Sequence, residues 1–154
     1  MARTDPFLVE PDLWFGVLCE GVEVDPQKRI SLVKVFNTWY LEEPPPQADI
    51  PPYALVRCVL ALGFSHGVGD FEAVVSLRDV EDRVLWTRPE PWRFRVGPGE
   101  ANAAILADQV EHWVREVGNY YYVVTLTPPG KDYRVRLEIA KRPPPEMVEQ
   151  RERL

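Results

Sequence analysis

The chain has 154 residues, enough for one domain with a sizeable core and short for two. Apolar residues make up 45% and charged residues 27%, as in ordinary soluble proteins, while the 16 prolines are about twice the usual share. The formal charge of −6 excludes a general nucleic-acid binder, which needs an electropositive face for phosphates.

The opening Met1-Ala2-Arg3-Thr4-Asp5-Pro6 has no apolar run behind it, so no secretory signal is expected and the cytoplasm is the expected location. No window approaches the roughly 20 apolar residues of a membrane span. Residues 1–13 read as an N-terminal arm, 14–142 as one β-domain and 143–154 as a charged tail. A strand from Phe15 to Val24 meets Asp25-Pro26-Gln27-Lys28, with proline at the second turn position and aspartate before it, and Arg29 to Tyr40 returns. This reads as a hairpin. Glu42 to Pro52 carries five prolines in eleven residues and is expected to be an extended crossover without ladder or helix.

Next, Ala54, Val56, Cys58, Leu60 and Leu62 form one apolar row. The opposite row is also mostly apolar (Tyr53, Leu55, Val59, Ala61), interrupted by Arg57, which predicts a central strand. Phe71, Ala73, Val75 and Leu77 alternate with Glu72, Ser76 and Arg78, and Val80-Glu81-Asp82-Arg83 turns that strand into Val84–Thr87. Trp92–Val96 follows, with Arg93 and Arg95 on one side. In Asp108–Val117, Val110, Trp113, Val114 and Val117 fall at helical spacing, with a capping-box pair in Asp108 and Glu111. The neighbours are all strands, so the segment is either one short helix or a strand entering a corner. Gly118-Asn119-Tyr120 reads as a tyrosine corner, in which the ring folds under a turn and its hydroxyl bonds nearby backbone. Tyr120–Thr127 and Tyr133–Ala140 then form a hairpin through Pro128–Asp132. Seven or eight strands with turns between them predict an all-β, two-layer antiparallel sandwich.

The stretch Val17–Pro26, continuing through Lys28-Arg29-Ile30-Ser31-Leu32-Val33-Lys34-Val35-Phe36, with the later Gly118-Asn119-Tyr120, resembles a family of small bacterial β-sandwich proteins of unknown function. The resemblance covers about residues 14–141, although that family often has aspartate where this chain has Glu20. It implies an immunoglobulin-like sandwich and brings no catalytic or binding residue with it.

Reactive groups are sparse. His66 lies in a Gly-rich loop with Asp70, which describes a plain turn better than a metal site needing three or four ligands. His112 follows Glu111, but no serine or cysteine in a nucleophile motif accompanies it. Asp79, Glu81 and Asp82 cluster between Arg78 and Arg83, as a solvated turn does. The loop at 97–100 lacks the lysine and Ser/Thr of a phosphate cradle. Cys19 and Cys58 read as small buried hydrophobes, and a reduced compartment opposes the other reading, a disulfide. No catalytic residue, metal or cofactor is therefore expected. The aromatics are the richest feature, with 5 Trp, 6 Tyr and 6 Phe. Trp39, Tyr40, Trp86, Trp92, Arg93 and Arg95 are the candidate interaction surface, since exposed rings beside arginines favour protein interfaces. The expectation is a non-enzymatic module that self-associates or docks a protein. A carbohydrate- or small-ligand-binding sandwich is the alternative, and it requires Trp39, Trp86 and Trp92 to reach solvent.

Overall fold

A computed structural model of the protein describes residues 8–97, 103–128 and 130–143. The first seven residues of the arm, the 97–100 loop beyond Gly97, Pro129 and the tail from 144 lie outside the described residues. Among those described, the protein is all-β, with eleven strands, one 3-10 turn and no α-helix.

Two larger sheets and one hairpin account for the strands. In the first sheet, β5 (Ala54–Ser65) lies between β1 (Asp12–Cys19) and β9 (Ala103–Val114), both antiparallel to it. The second sheet runs β4 (Thr38–Leu41), β11 (Lys131–Lys141), β10 (Gly118–Thr127), β6 (Gly69–Arg78). The far edge of β6 is shared end to end by β7 (Val84–Thr87) and β8 (Trp92–Val96). A separate pair, β2 (Gly21–Val24) and β3 (Ile30–Val33), forms the hairpin. The expected purely antiparallel order needs one correction. Strand β4 runs parallel to β11, which is possible because a long connection, rather than a tight turn, separates them.

The first expected hairpin is shorter than its alternation implies. The chain leaves the edge of β5 at Glu20, whose N–H donates to Val33 O at 2.9 Å. The return strand breaks at Lys34, which has a left-handed φ of 52°, and the Phe36 N–H then bonds Leu18 O at 2.9 Å. The turn itself is as read. Asp25 Oδ1 accepts the N–H groups of Gln27 (2.9 Å) and Arg29 (2.8 Å), and Arg29 Nε donates to Oδ2 at 2.6 Å. The β6–β7 turn repeats this loop residue for residue. Asp79 Oδ1 accepts from Glu81 and Arg83 N–H at 2.9 and 3.0 Å, and Arg83 Nε donates to Oδ2 at 2.8 Å. The fourth position has positive φ in both, at Lys28 (63°) and Asp82 (64°). These bonds to the ionised carboxylates hold Asp25 and Asp79 below the usual carboxylate range, with the backbone N–H of Arg29 and Arg83 the largest cause in each.

Segment 108–117 is strand, not helix, up to Val114. Val110, His112 and Val114 are buried while Glu111 and Trp113 are exposed, a two-residue period. Every residue of β9 pairs with one of β5. Helical spacing would have placed Val117 inside, and it is half exposed. The proline-rich crossover does hold one helical element, the 3-10 turn Pro46–Ala48, because proline fits the first turn of a helix. At the corner after β9 the Tyr120 hydroxyl donates to Glu116 O at 2.7 Å, the expected tyrosine-corner bond, and Gly118 has φ 150°.

The two larger sheets contribute to one apolar core. The first supplies Leu18, Val56, Leu60, Leu62 and Phe64, and the second supplies Phe71, Val75, Leu77, Tyr122, Val124 and Leu137. On the outer side of β5, the Phe15 ring packs against Gly63, and a Cβ there would sit 2.3 Å from the ring. Gly63→Ala is therefore expected to displace Phe15 and cost about 1–3 kcal/mol, read as a lowered urea midpoint.

Candidate interaction surface

The six residues singled out from sequence do not form one patch. Trp39 and Tyr40 are on β4, one edge of the second sheet, and Trp86, Trp92, Arg93 and Arg95 are on β7 and β8, the other edge. Trp39, Trp86 and Trp92 are half-buried and pack against the core, and Trp39 tilts against Phe36 at 5.6 Å. Arg93 and Arg95 are exposed, but each is tied to the carboxylate opposite it on β6. Arg95 is bidentate to Asp70 at 2.7 and 3.1 Å, and Arg93 Nε donates to Glu72 at 3.2 Å. That bond to Arg95 keeps Asp70 ionised below the usual carboxylate range.

The Trp86–Trp92 edge closes the protein instead. Between β7 and β8 the Arg88 N–H donates to Val75 O, and the side chain, with its guanidinium 4.6 Å from the Trp92 ring centre, reaches across to Asp108 on β9. Arg88 thus bonds one sheet to the other. Arg88→Met is expected to cost about 1–2 kcal/mol, below the usual worth of a buried charged hydrogen bond because Asp108 is half exposed. A denaturant titration reads this cost.

Behind that edge lies a polar pair. His112, 5% exposed, and the fully buried Tyr122 are hydrogen-bonded through Nε2 and the hydroxyl, with the Trp86 ring 5.3 Å from the imidazole. His112 Nδ1 has no partner among the described residues. Burial without a compensating charge pushes the His112 pKa down to about 4 and the Tyr122 pKa well up. His112 is a neutral core residue, and among the described residues no serine or cysteine hydroxyl or thiol bonds to it. His66 is exposed with a left-handed φ of 60° at a turn, and Asp70 is occupied by Arg95. Asp79 and Asp82 are engaged by Arg83 and Arg78, so the acidic cluster is a turn framework. Among the described residues no three His, Cys, Asp or Glu side chains converge on a metal position. Cys19 and Cys58 are both free, because they sit on opposite sides of the adjacent strands β1 and β5. Burial raises both thiols, Cys58 to about 12.

The distinctive surface is the outer face of the first sheet. The strand period turns Leu55, Arg57 and Val59 of β5 away from the core, and Ile105, Ala107, Gln109, Glu111 and Trp113 of β9 with them; Leu55, Val59 and Ile105 are half-buried there, and Ala61 on the same side is fully buried. Phe15 and Val17 of β1 extend the face. Apolar groups dominate it, and its one ion pair is Arg57 to Glu111, two guanidinium–carboxylate bonds of 3.2 Å. Trp113 is 57% exposed, edge-on to Tyr53 at 5.5 Å, and the Arg115 guanidinium lies 5.6 Å from its ring centre. Trp14, 69% exposed, occupies a β-bulge in β1 beside Phe15. The outer face of the second sheet differs in kind. It carries Asp70, Glu72, Arg78, Thr125, Arg134 and Arg136, cross-linked by hydrogen bonds and ion pairs. Sequence reading passed over Trp14 and Trp113. Taking 103–114 as a strand would have put Trp113 on the Glu111 side, whereas nothing in the alternation marks the bulge at Trp14.

No helix among the described residues is long and apolar enough to cross a membrane. Compared with known protein families and with curated proteins, the chain matches none.

Proposed function

We propose that this chain is a non-enzymatic protein-interaction or self-assembly module, built as an immunoglobulin-like two-layer β-sandwich and working in the cytoplasm. The sandwich reading is supported by a single apolar core fed by both larger sheets and by the tyrosine corner at Tyr120. The observation that carries the interaction reading is the apolar outer face of β1, β5 and β9. A solvated sheet face ordinarily carries polar residues, as most outward positions of the second sheet do, whereas here the exposed Trp14, Ala107 and Trp113 stand among the half-buried Phe15, Val17, Leu55, Val59 and Ile105, and such an apolar grouping at the surface marks a docking site. The net charge of −6 favours a protein over a nucleic acid as the occupant. A carbohydrate platform has less support, because the three tryptophans of that expectation, Trp39, Trp86 and Trp92, are half-buried, and the exposed Trp113 meets Tyr53 at 61° rather than coplanar.

A photo-crosslinking residue at Ala107, on the apolar face, is expected to trap protein adducts in cells. The same residue at Arg134, on the charged face, is expected to trap few. An absence of adducts from position 107 would defeat the interaction reading.

A further inference from the structure

We propose that the Trp113 end of the apolar face is a seat for residues 146–149 of this same chain, which compete there with the outside partner. The inference rests on the interaction reading above and adds an intramolecular competitor to it.

The path of the chain out of β11 carries it. The strand ends at Lys141, and Arg142 Nη2 donates to Glu42 Oε1 at 2.8 Å. Glu42 in turn exchanges two backbone bonds with Tyr53, of 2.6 and 3.0 Å, and the Tyr53 ring meets Trp113 at 5.5 Å. Residues paired across neighbouring strands share a side. Arg142, Glu42, Tyr53 and Trp113 therefore form one row on a continuous outward surface, which joins the rim of the second sheet to the outer face of the first. The chain leaves this row at Pro143, three strand spacings from Trp113, or about 14 Å.

The sequence that follows matches this distance. Residues 143–145 are all proline, which favours an extended chain rising about 3.1 Å per residue. Met147 comes four residues after Pro143, about 12 Å at that rise, with Val148 beside it. These are the first apolar side chains beyond the prolines, and they reach the row where Trp113 stands exposed beside the half-buried Tyr53 and Leu55. The charges agree as well. Glu146 and Glu149 flank the apolar pair in sequence, and on the face Arg115 and Arg57 flank Trp113 and Leu55. Arg57 already holds Glu111, whereas Arg115 lies over the Trp113 ring and forms no ion pair among the described residues, so its guanidinium is open to a carboxylate. The contact is small, but it is tethered. A short linker holds its end at an effective concentration on the order of millimolar, so a contact too weak to form between separate molecules is still populated.

A photo-crosslinking residue at Met147 in the purified full chain tests this. Irradiation is expected to give an adduct within the same molecule, to peptides holding residues 53–57 or 111–115, at a yield independent of protein concentration. Trp113→Ala is expected to lower that yield about threefold or more, and Met147→Glu with Val148→Glu is expected to raise the trapping of outside protein at position 107 by about the same factor. Adducts confined to other parts of the chain, adducts between molecules that grow with concentration, or no adduct at all overturn the inference. If position 147 fails in one of these ways while position 107 still traps a protein in cells, the seat is wrong and the interaction reading stands. If position 147 marks the face and position 107 traps nothing, even with the two glutamates in place, the seat is right, the competition is wrong and the interaction reading falls.

Discussion

Phe64→Ala is expected to destabilise the protein by about 3–5 kcal/mol. The ring is fully buried in the middle of the core. It stacks on Phe94 of β8 at 5.2 Å and 20° and meets Tyr133 of β11 edge-on at 5.8 Å, so one β5 side chain holds two strands of the opposite sheet. Removing it takes away the transfer free energy and also leaves a cavity that neither neighbour can fill without giving up its own packing. Urea unfolding at constant slope measures the cost through its midpoint. Trp113→Ala is the comparison, because it removes a larger ring from the outer face of the same sheet and is expected to change stability by no more than about 0.5 kcal/mol. Equal costs at the two positions would contradict the assignment of inner and outer faces.

Stability is also expected to fall by about 3 kcal/mol as the pH is lowered from about 6.5 to about 4. The cause is His112, whose pKa is near 4 in the fold against 6.5 in the unfolded chain. Above 6.5 the imidazole is neutral in both states and the stability does not depend on it. Between the two values the unfolded chain binds a proton that the folded protein refuses, so acidification favours unfolding, and the loss is complete once the pH passes below the folded value. The carboxylates of Asp25 and Asp79, whose pKa values are lowered, give up their stabilisation only below the usual carboxylate range, so they do not obscure this window. Urea midpoints at several pH values from 7 to 4 measure the slope. His112→Gln cannot titrate but still offers Tyr122 a hydrogen-bonding partner, and its profile is expected to be flat across the same range. A slope that persists in that variant would place the titrating group elsewhere.

The all-β class was legible because period two is visible in β6 and β11 without any knowledge of their partners. Asp25-Pro26 and Gly118-Asn119-Tyr120 are equally local signals, and both turns form as read. Where the reading erred or stayed open between two states, the deciding contact is distant in sequence. Val110, Trp113, Val114 and Val117 satisfy a helix nearly as well as a strand, and only the pairing with β5, about fifty residues earlier, selects the strand. The breaks at Glu20 and Lys34 are of the same sort. Lys34 carries no turn signature, yet it adopts φ 52° where the chain passes from the β2–β3 hairpin to β4. The tryptophans were misjudged for a related reason. Whether a ring faces in or out depends on the phase of its strand, which pairing fixes for Trp113 and a bulge fixes for Trp14. The two-sided apolar pattern of β5 was read correctly as a central strand, but how its outer row lines up with those of β1 and β9 follows only from the pairing, which is why the candidate surface went unseen.

That same strand sets a condition on how the polypeptide must be made. In β5 Arg57 is the only charge in twelve residues, and the strand leaves the ribosome well before β9 exists to flank it. Until then it is a nascent cross-β segment, open on one edge and oily on both sides. Pro51-Pro52 ahead of it and Arg57 within it are the gatekeepers that keep neighbouring nascent chains from stacking on it. Arg57→Leu is therefore expected to lower the soluble yield of newly made chain, before the residue has any folded surface on which to act.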